Sequence, residues 1–380
     1  MKLQLLIFTL LQYLVLTNQE NQEKQLMKTQ GFNFKAFQND NGNDNISFDY
    51  DDDDDDLSAP CSLAVPGFDS LGLMVTYIVV FALSVLGNGV VVYVVCSMKK
   101  GKGSTDIYLM HLAMADLLLS VTLPFWAVNV QSGWIFGNFL CKLLSGFQEA
   151  SVYSGVFLLA CISVDRHFVI VRANRLRPNH RLLVKVACAV VWLVAAVLSL
   201  PVAIQKESVH AEDLGRLICY EKLTGESSGR WRVVMRVMRH TIGFFMPLVV
   251  MTVCYGWIVV ALCHTRNSQK QKAIRVILAV VFAFVVCWLP YNVSILIDTL
   301  IRGQTIAMET CEKRYMLEVT LAVTQVLALM HCAVNPVLYA FIGEKFRNHL
   351  LSALYRHGFL NMKGSASSVG SVRSRITSTM

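Results

Sequence analysis

Seven nearly uncharged windows limit what this chain can become. They run Leu71–Met98, Ile107–Val130, Leu143–Val164, Val186–Gln205, Thr241–Cys263, Val276–Ile297 and Val319–Gly343, and only Asp116 and Glu149 are acidic within them. Each is long enough to cross a bilayer as a helix, which takes about 20 apolar residues. The expected fold class is therefore an all-α membrane protein, a seven-transmembrane helix bundle over residues 71–343. Composition agrees. The 380 residues are 54% hydrophobic and 16% charged, against about 25% charged in soluble domains.

The charge is divided along the chain. Residues 1–60 hold 4 Lys/Arg and 11 Asp/Glu, a net of −7; the remaining 30 and 15 give +15. Basic residues gather after the first window (Lys99, Lys100, Lys102), between the third and fourth (Arg166 to Lys185) and between the fifth and sixth (Arg266 to Arg275). Those three connections fall on one face, and the positive-inside rule makes it cytosolic. The N-terminus is then extracellular and the C-terminus cytoplasmic. Scattered in short loops, these charges are no footprint for nucleic acid. The two halves show no likeness to one another, which disfavours an inverted-repeat transporter. A channel or transporter would also need a continuous polar path, and only Asp116 and Glu149 are available for one.

Residues 1–18 have the apolar run of a possible signal peptide. Residues 19–70 read as a disordered acidic extracellular segment, carrying Tyr50 and the run Asp51, Asp52, Asp53, Asp54 to Asp56. Asn45-Ile46-Ser47 is a glycosylation acceptor if extracellular. Tyr50 beside the carboxylates is a candidate sulfation site, and the whole is a hook for a basic partner. Beyond the last window, residues 344–356 form an amphipathic stretch with Phe346, Leu350, Leu351 and Leu354 on one face, expected as a short eighth helix on membrane lipid. Residues 357–380 are a Ser/Thr-rich cytoplasmic tail suited to kinases.

Cys141 to Asp165 spans 24 residue steps, about 36 Å as a helix, with the thiol at one interface and Asp165-Arg166 at the other. Of eleven Cys, the topology puts Cys61, Cys141, Cys219 and Cys311 outside, an even number with three possible pairings. No enzyme is legible. There is no metal-spaced His/Cys set, no placed Ser/His/Asp arrangement and no phosphate loop. Asp116, mid-membrane, is the residue whose position most demands a function.

Taken in order, Gly87-Asn88, Leu112 to Asp116, Asp165-Arg166, Trp192, Pro247, Tyr255, Cys287-Trp288-Leu289-Pro290 and Asn335-Pro336-Val337-Leu338-Tyr339 resemble a class A (rhodopsin-like) G-protein-coupled receptor. Thr122-Leu123-Pro124-Phe125-Trp126, Trp134 to Gly137 and the acidic N-terminus resemble chemokine receptors. Ala160 to Arg166, Cys311 to Arg314 and Tyr339 to Gly343 look most like the CXC receptors of the interleukin-8 type, types 1 and 2. The resemblance covers roughly residues 60–360. It departs at His167-Phe168, where the family usually has Tyr-Leu, and at Gln325, where a Glu is common.

The resemblance implies disulfides Cys141–Cys219 and Cys61–Cys311. It implies a switch of Asp165, Arg166, His167, Tyr255, Trp288, Pro290, Asn335, Pro336 and Tyr339, with Arg166 paired to Asp165 at rest and span six moving outward. Asn88, His331 and Asn335 are implied as neighbours of Asp116, where they would hold water and a sodium ion. Ligand contacts are expected at Tyr50, Asp51–Asp54, Trp126, Glu149, Arg232, Arg236 and Asp298. The two arginines would receive an acidic ligand residue, and Asp298 or Glu149 a basic one. The implied partners are a CXC chemokine bearing Glu-Leu-Arg, a heterotrimeric inhibitory-class G protein driving calcium signalling and neutrophil chemotaxis, arrestin and receptor kinases. The alternative is a non-signalling chemokine scavenger.

Overall fold

A computed structural model of the chain describes residues 70–98, 103–170, 180–211, 215–221, 228–263, 268–302, 310–342 and 347–348. The leader, Asn45, Tyr50, the aspartate run, Cys61 and the tail lie outside the described residues. So does the expected eighth helix, save that 347–348 are helical.

Among the described residues, seven helices are long and apolar enough to cross a membrane. Span one is Ser70–Ser97, span two Ser104–Ser132, span three Gly137–Ile170, span four His180–Gln205, span five Val233–Ala261, span six Leu278–Ile301 and span seven Cys311–Leu338. Most outrun the apolar windows by several residues. Charged side chains at helix ends reach the interface while their backbone stays helical, so hydropathy under-reads the ends. Span seven shows this best: it begins eight residues before Val319, through Glu312, Lys313, Arg314 and Glu318.

Span three packs against spans two, four and five, and span seven against spans one and six. The core contains Val91, Leu112, Leu158, Ile162, Met251, Ile258 and Trp288. Large apolar side chains such as Leu86, Leu193 and Phe282 face outward, as a lipid-facing surface requires. Lipid gives apolar helices no hydrophobic reason to associate, so close approach depends on small residues. A Cβ on Gly87 would meet the Pro336 ring at 2.8 Å, and one on Gly243 would meet the Tyr153 ring at 2.9 Å. These glycines let span one close on span seven and span five on span three.

Three local breaks shape one end of the bundle. Span two is interrupted at Val121–Thr122, between helices Ser104–Ser120 and Leu123–Ser132, with Pro124 in the first turn of the second. Proline fits there because its missing N–H would be unpaired in any case. Span five carries a π-helical turn, Thr241–Phe245, just before Pro247. Between spans four and five, β1 (Lys206–Ala211) pairs antiparallel with β2 (Arg216–Glu221), Ser208 opposite Cys219. The disulfide Cys141–Cys219 staples this hairpin to the start of span three. Trp134 N–H donates to Leu217 O at 2.7 Å, and its indole N–H to Gly137 O at 2.8 Å. Gly133, at φ 82°, makes the turn that allows it. Cys311 is also disulfide-bonded.

Candidate functional site

Beneath the hairpin, spans three, five and six meet in a cluster of charges. Arg239 Nη2 lies 2.6 Å from Glu149 Oε2, and Arg236 Nη1 lies 2.5 Å from Asp298 Oδ2. The carboxylates are sealed, each side chain 3% exposed, while the arginines are 34% and 20% exposed. The more open member of each pair is therefore the guanidinium, held in place by a buried carboxylate. Lys206 of β1 lies 3.8 Å from Glu221 of β2. Burial pulls the Lys206 ammonium below the usual lysine range, and Glu221 opposes that pull.

The expected ligand contacts divide accordingly. Arg236, Glu149 and Asp298 come together at this end of the bundle, but the two acids are already matched by arginines of the chain. Arg232 belongs to the same helix, Ser228–His240, with its side chain outside the described residues. Trp126 is partly buried, its ring 5.2 Å from Trp134, and packs beside the Cys141–Cys219 disulfide. Arg239 was not among the expected residues. The signal was present: 232, 236 and 239 fall at i, i+4 and i+7, one face of a helix. His240 was missed as well; its Nδ1 sits 2.7 Å from Asn292 Oδ1, tying span five to span six.

The cavity floored by Trp288 and Phe284 is lined also by Glu149, Tyr153, Arg239, His240, Tyr291 and Asn292. On the other side of the same two rings a second cavity is lined by Asp116, Ser151, Gly155 and His331. Trp288 and Phe284 thus form a partition between an upper polar chamber and a lower one, their centroids 6.2 Å apart. Phe284 also meets the His331 ring edge-on at 5.5 Å.

In the lower chamber Asn335 Nδ2 donates to Asp116 Oδ2 at 2.8 Å. Asn88 turns elsewhere, its Nδ2 donating to Ser84 O at 3.0 Å and across to Cys332 O at 2.8 Å. Asn88 Oδ1 and Asn335 Oδ1 are both buried with no hydrogen-bond partner among the described residues. Asp116 with the unpaired Oδ1 of its hydrogen-bonded partner Asn335 offers oxygen donors suited to a hard cation.

At the far end of span three, Arg166 Nη2 pairs with Asp165 Oδ2 at 2.8 Å. Ser104 of span two binds both, accepting from Arg166 and donating to Asp165, each at 3.1 Å. His180, at the start of span four, adds its Nε2 to Asp165 Oδ1 at 3.0 Å. Tyr255 is buried against span three with Ser163 beside its hydroxyl. His167 and Phe168 pack edge to face at 5.8 Å. Pro290 and Pro336 lie inside their helices, and the Tyr339 side chain lies outside the described residues.

Residues 87–339 match the family described as 7 transmembrane receptor (rhodopsin family). The chain is 44% identical to the C-X-C chemokine receptor type 1 of Pongo pygmaeus over 302 residues, 80% of this chain and 85% of that receptor. It is 43% identical to the human C-X-C chemokine receptor type 2 over 304 residues, 80% and 84% of the two chains. The rabbit (Oryctolagus cuniculus) type 1 receptor is likewise 43% identical over 303 residues. A multi-pass plasma-membrane protein of seven helices, a receptor rather than an enzyme, this chain belongs to the rhodopsin family of seven-transmembrane receptors and within it to the C-X-C chemokine receptors of types 1 and 2.

Proposed function

We propose that this receptor binds CXC chemokines of the interleukin-8 type, those with an N-terminal Glu-Leu-Arg, and couples to an inhibitory-class heterotrimeric G protein that drives calcium signalling and neutrophil chemotaxis. The observation that carries the reading is the pairing of partly exposed arginines with sealed carboxylates above Trp288, in a chain 44% identical to a type 1 receptor.

The N-terminus faces outward. A sulfated Tyr50 with Asp51–Asp56, on a segment glycosylated at Asn45 and held by Cys61–Cys311, captures a basic chemokine by long-range attraction. The ligand's N-terminus then enters the chamber. Its Glu competes for Arg236, Arg239 or Arg232, and its Arg takes the carboxylate so released, Asp298 or Glu149. One internal ion pair is replaced by two intermolecular ones, and charge stays balanced in a poorly solvated site. Because those carboxylates and arginines sit on spans three, five and six, the exchange strains the Trp288 partition. It favours the state in which span six bends at Pro290.

Asp116, with the Asn88 and Asn335 side-chain oxygens, would hold a sodium ion, whose charge would favour the closed bundle. Opening releases Arg166 from Asp165, and Tyr255 and Tyr339 support it beside a G-protein helix. Residues 344–356 lie on membrane lipid. Kinases modify the Ser/Thr tail, and arrestin follows.

The test is inhibitory G-protein activation in cells expressing the chain, challenged with CXC chemokines with and without Glu-Leu-Arg. Activation restricted to motif-bearing ligands is the expected result. Ligand uptake without G-protein activation would assign the chain to the scavengers and point to His167-Phe168. Arg166→Ala is expected to abolish G-protein activation, and unchanged activation would remove the role given to Arg166.

A further inference from the structure

Asp165 has more partners than a two-residue lock needs. Arg166 and Ser104 share Oδ2, while His180 reaches Oδ1 at 3.0 Å from another helix. The Asp165 side chain is only 6% exposed and His180 22%. Two bases on separate oxygens do not exclude each other, so His180 keeps its contact whether or not Arg166 stays. A buried carboxylate left with no counter-ion is costly, and release of Arg166 would leave Asp165 in that condition. A protonated His180 is the group placed to take over.

We propose that His180 is a positioning residue of the activation switch, a stand-in counter-ion for Asp165 that makes release of Arg166 easier as the pH at that face falls. The inference rests on the reading that Arg166 must leave Asp165 for activation. Neutral His180 donates a hydrogen bond to Asp165 and no more. Protonated, it brings a positive charge whose value rises when Arg166 has gone. Protonation and opening therefore promote one another. Histidine is the side chain whose charge changes between about pH 5 and 8. Among the described residues, Arg166 and Cys161 of span three and Tyr108 of span two also feel the Asp165 charge. An arginine, a thiol and a phenol ordinarily change charge above this range. His167, next to Arg166 in sequence, is the rival source of any pH response.

The experiment uses the full-length receptor in nanodiscs, where pH is set on both faces. Spin labels on the Arg166 ends of spans two and six report the open fraction by double electron–electron resonance, without reliance on a G protein. Between about pH 7.5 and about pH 6 the open-to-closed ratio of the wild type is expected to rise about threefold to tenfold. His180→Gln keeps a hydrogen bond without a titratable charge and is expected to give one pH-independent ratio. His180→Lys, charged throughout, is expected to hold the acid-side ratio at both pH values. A flat wild type, a slope that survives in His180→Gln, a slope lost in His167→Gln, or closure on acidification would each overturn the proposal. Nucleotide exchange on an inhibitory-class G protein, run in parallel, isolates the receptor reading. Acid-driven opening with no exchange at any pH sinks that reading and leaves the role of His180 standing.

Discussion

Removing Arg239 should cost far more than removing the whole pair it belongs to. Glu149 is 3% exposed, and its carboxylate meets Arg239 Nη2 at 2.6 Å. Arg239→Ala deletes the partner and leaves a buried carboxylate. Breaking one side of a buried ion pair typically costs about 3–5 kcal/mol. Lys206 lies close enough to feel Glu149 and offsets part of that loss, so the lower end, about 3 kcal/mol, is the better figure. In Glu149→Gln with Arg239→Gln, two amides replace two charges, no ion is stranded, and the expected cost is about 1 kcal/mol or less. At roughly 2–4 °C per kcal/mol, the single variant should melt some 6–12 °C below the wild type and the double variant within about 4 °C of it. The assay is thermal unfolding of purified receptor in one detergent, followed by exposure of buried thiols such as Cys188 and Cys287. If Arg239→Ala melts at or above the double variant, Glu149 is not an ion that depends on Arg239. The picture of sealed acids and presented arginines then falls with it.

Other consequences are as direct. Gly133→Ala should lower cell-surface receptor and melting temperature together, because a Cβ there would stand 2.7 Å from Leu217 O at a φ of 82°; strain of about 1–3 kcal/mol is expected, and normal surface levels would refute it. If the Asp116 oxygens hold sodium, adding sodium in place of a large organic cation should weaken agonist binding in the wild type. Asp116→Asn should remove the difference, and a surviving sodium effect would place the ion elsewhere. The folded value of Lys206 is depressed, so the unfolded chain binds more protons as pH climbs toward 10.5, and stability rises with pH across that window. Lys206→Met should flatten the rise in a pH series of melting temperatures, while an unchanged slope would assign it to another group.

The sequence made the bundle legible for one reason. A helix that must satisfy its own backbone in lipid writes its length into an uninterrupted apolar window. Pro124, Pro247 and Pro336 were visible too, because proline marks a place where a helix loses a backbone bond. The hairpin was not. Lys206–Ala211 and Arg216–Glu221 are six residues each and mix charges with apolar residues, and what fixes them is the long-range bond from Cys219 to Cys141. Arg239 escaped because a basic residue at a helix end reads as an interfacial anchor until its partner on span three is known. His180 escaped in the same way, in a basic connection where one more base carries no signal. Pairing across helices is tertiary information, and hydropathy contains none of it.

That tertiary pattern bears on which part of span six is free to move. Its cross-helix polar contacts among the described residues lie on one side of Pro290: Asn292 with His240, and Asp298 with Arg236. On the other side, from Leu278 to Leu289, it meets its neighbours through Val280, Phe284, Cys287 and Trp288. Apolar packing slides at little cost, whereas a polar tie in low dielectric has one good geometry. Pro290 removes the backbone bond between the two halves. A pinned half, a weakened joint and a sliding half favour pivoting over piston motion, and the ligand's charges meet the pinned half. Asn292→Leu tests this. It unties His240 from span six without touching either ion pair, so ligand affinity should change little while the open state becomes less sharply coupled to ligand. A plot of G-protein activation against receptor occupancy should therefore lose maximal response, by about two- to fivefold for a tie worth roughly 0.5–1 kcal/mol. A full response at unchanged occupancy would show that span six does not need its pinned end, and the pivot would have to be sought in span seven at Pro336.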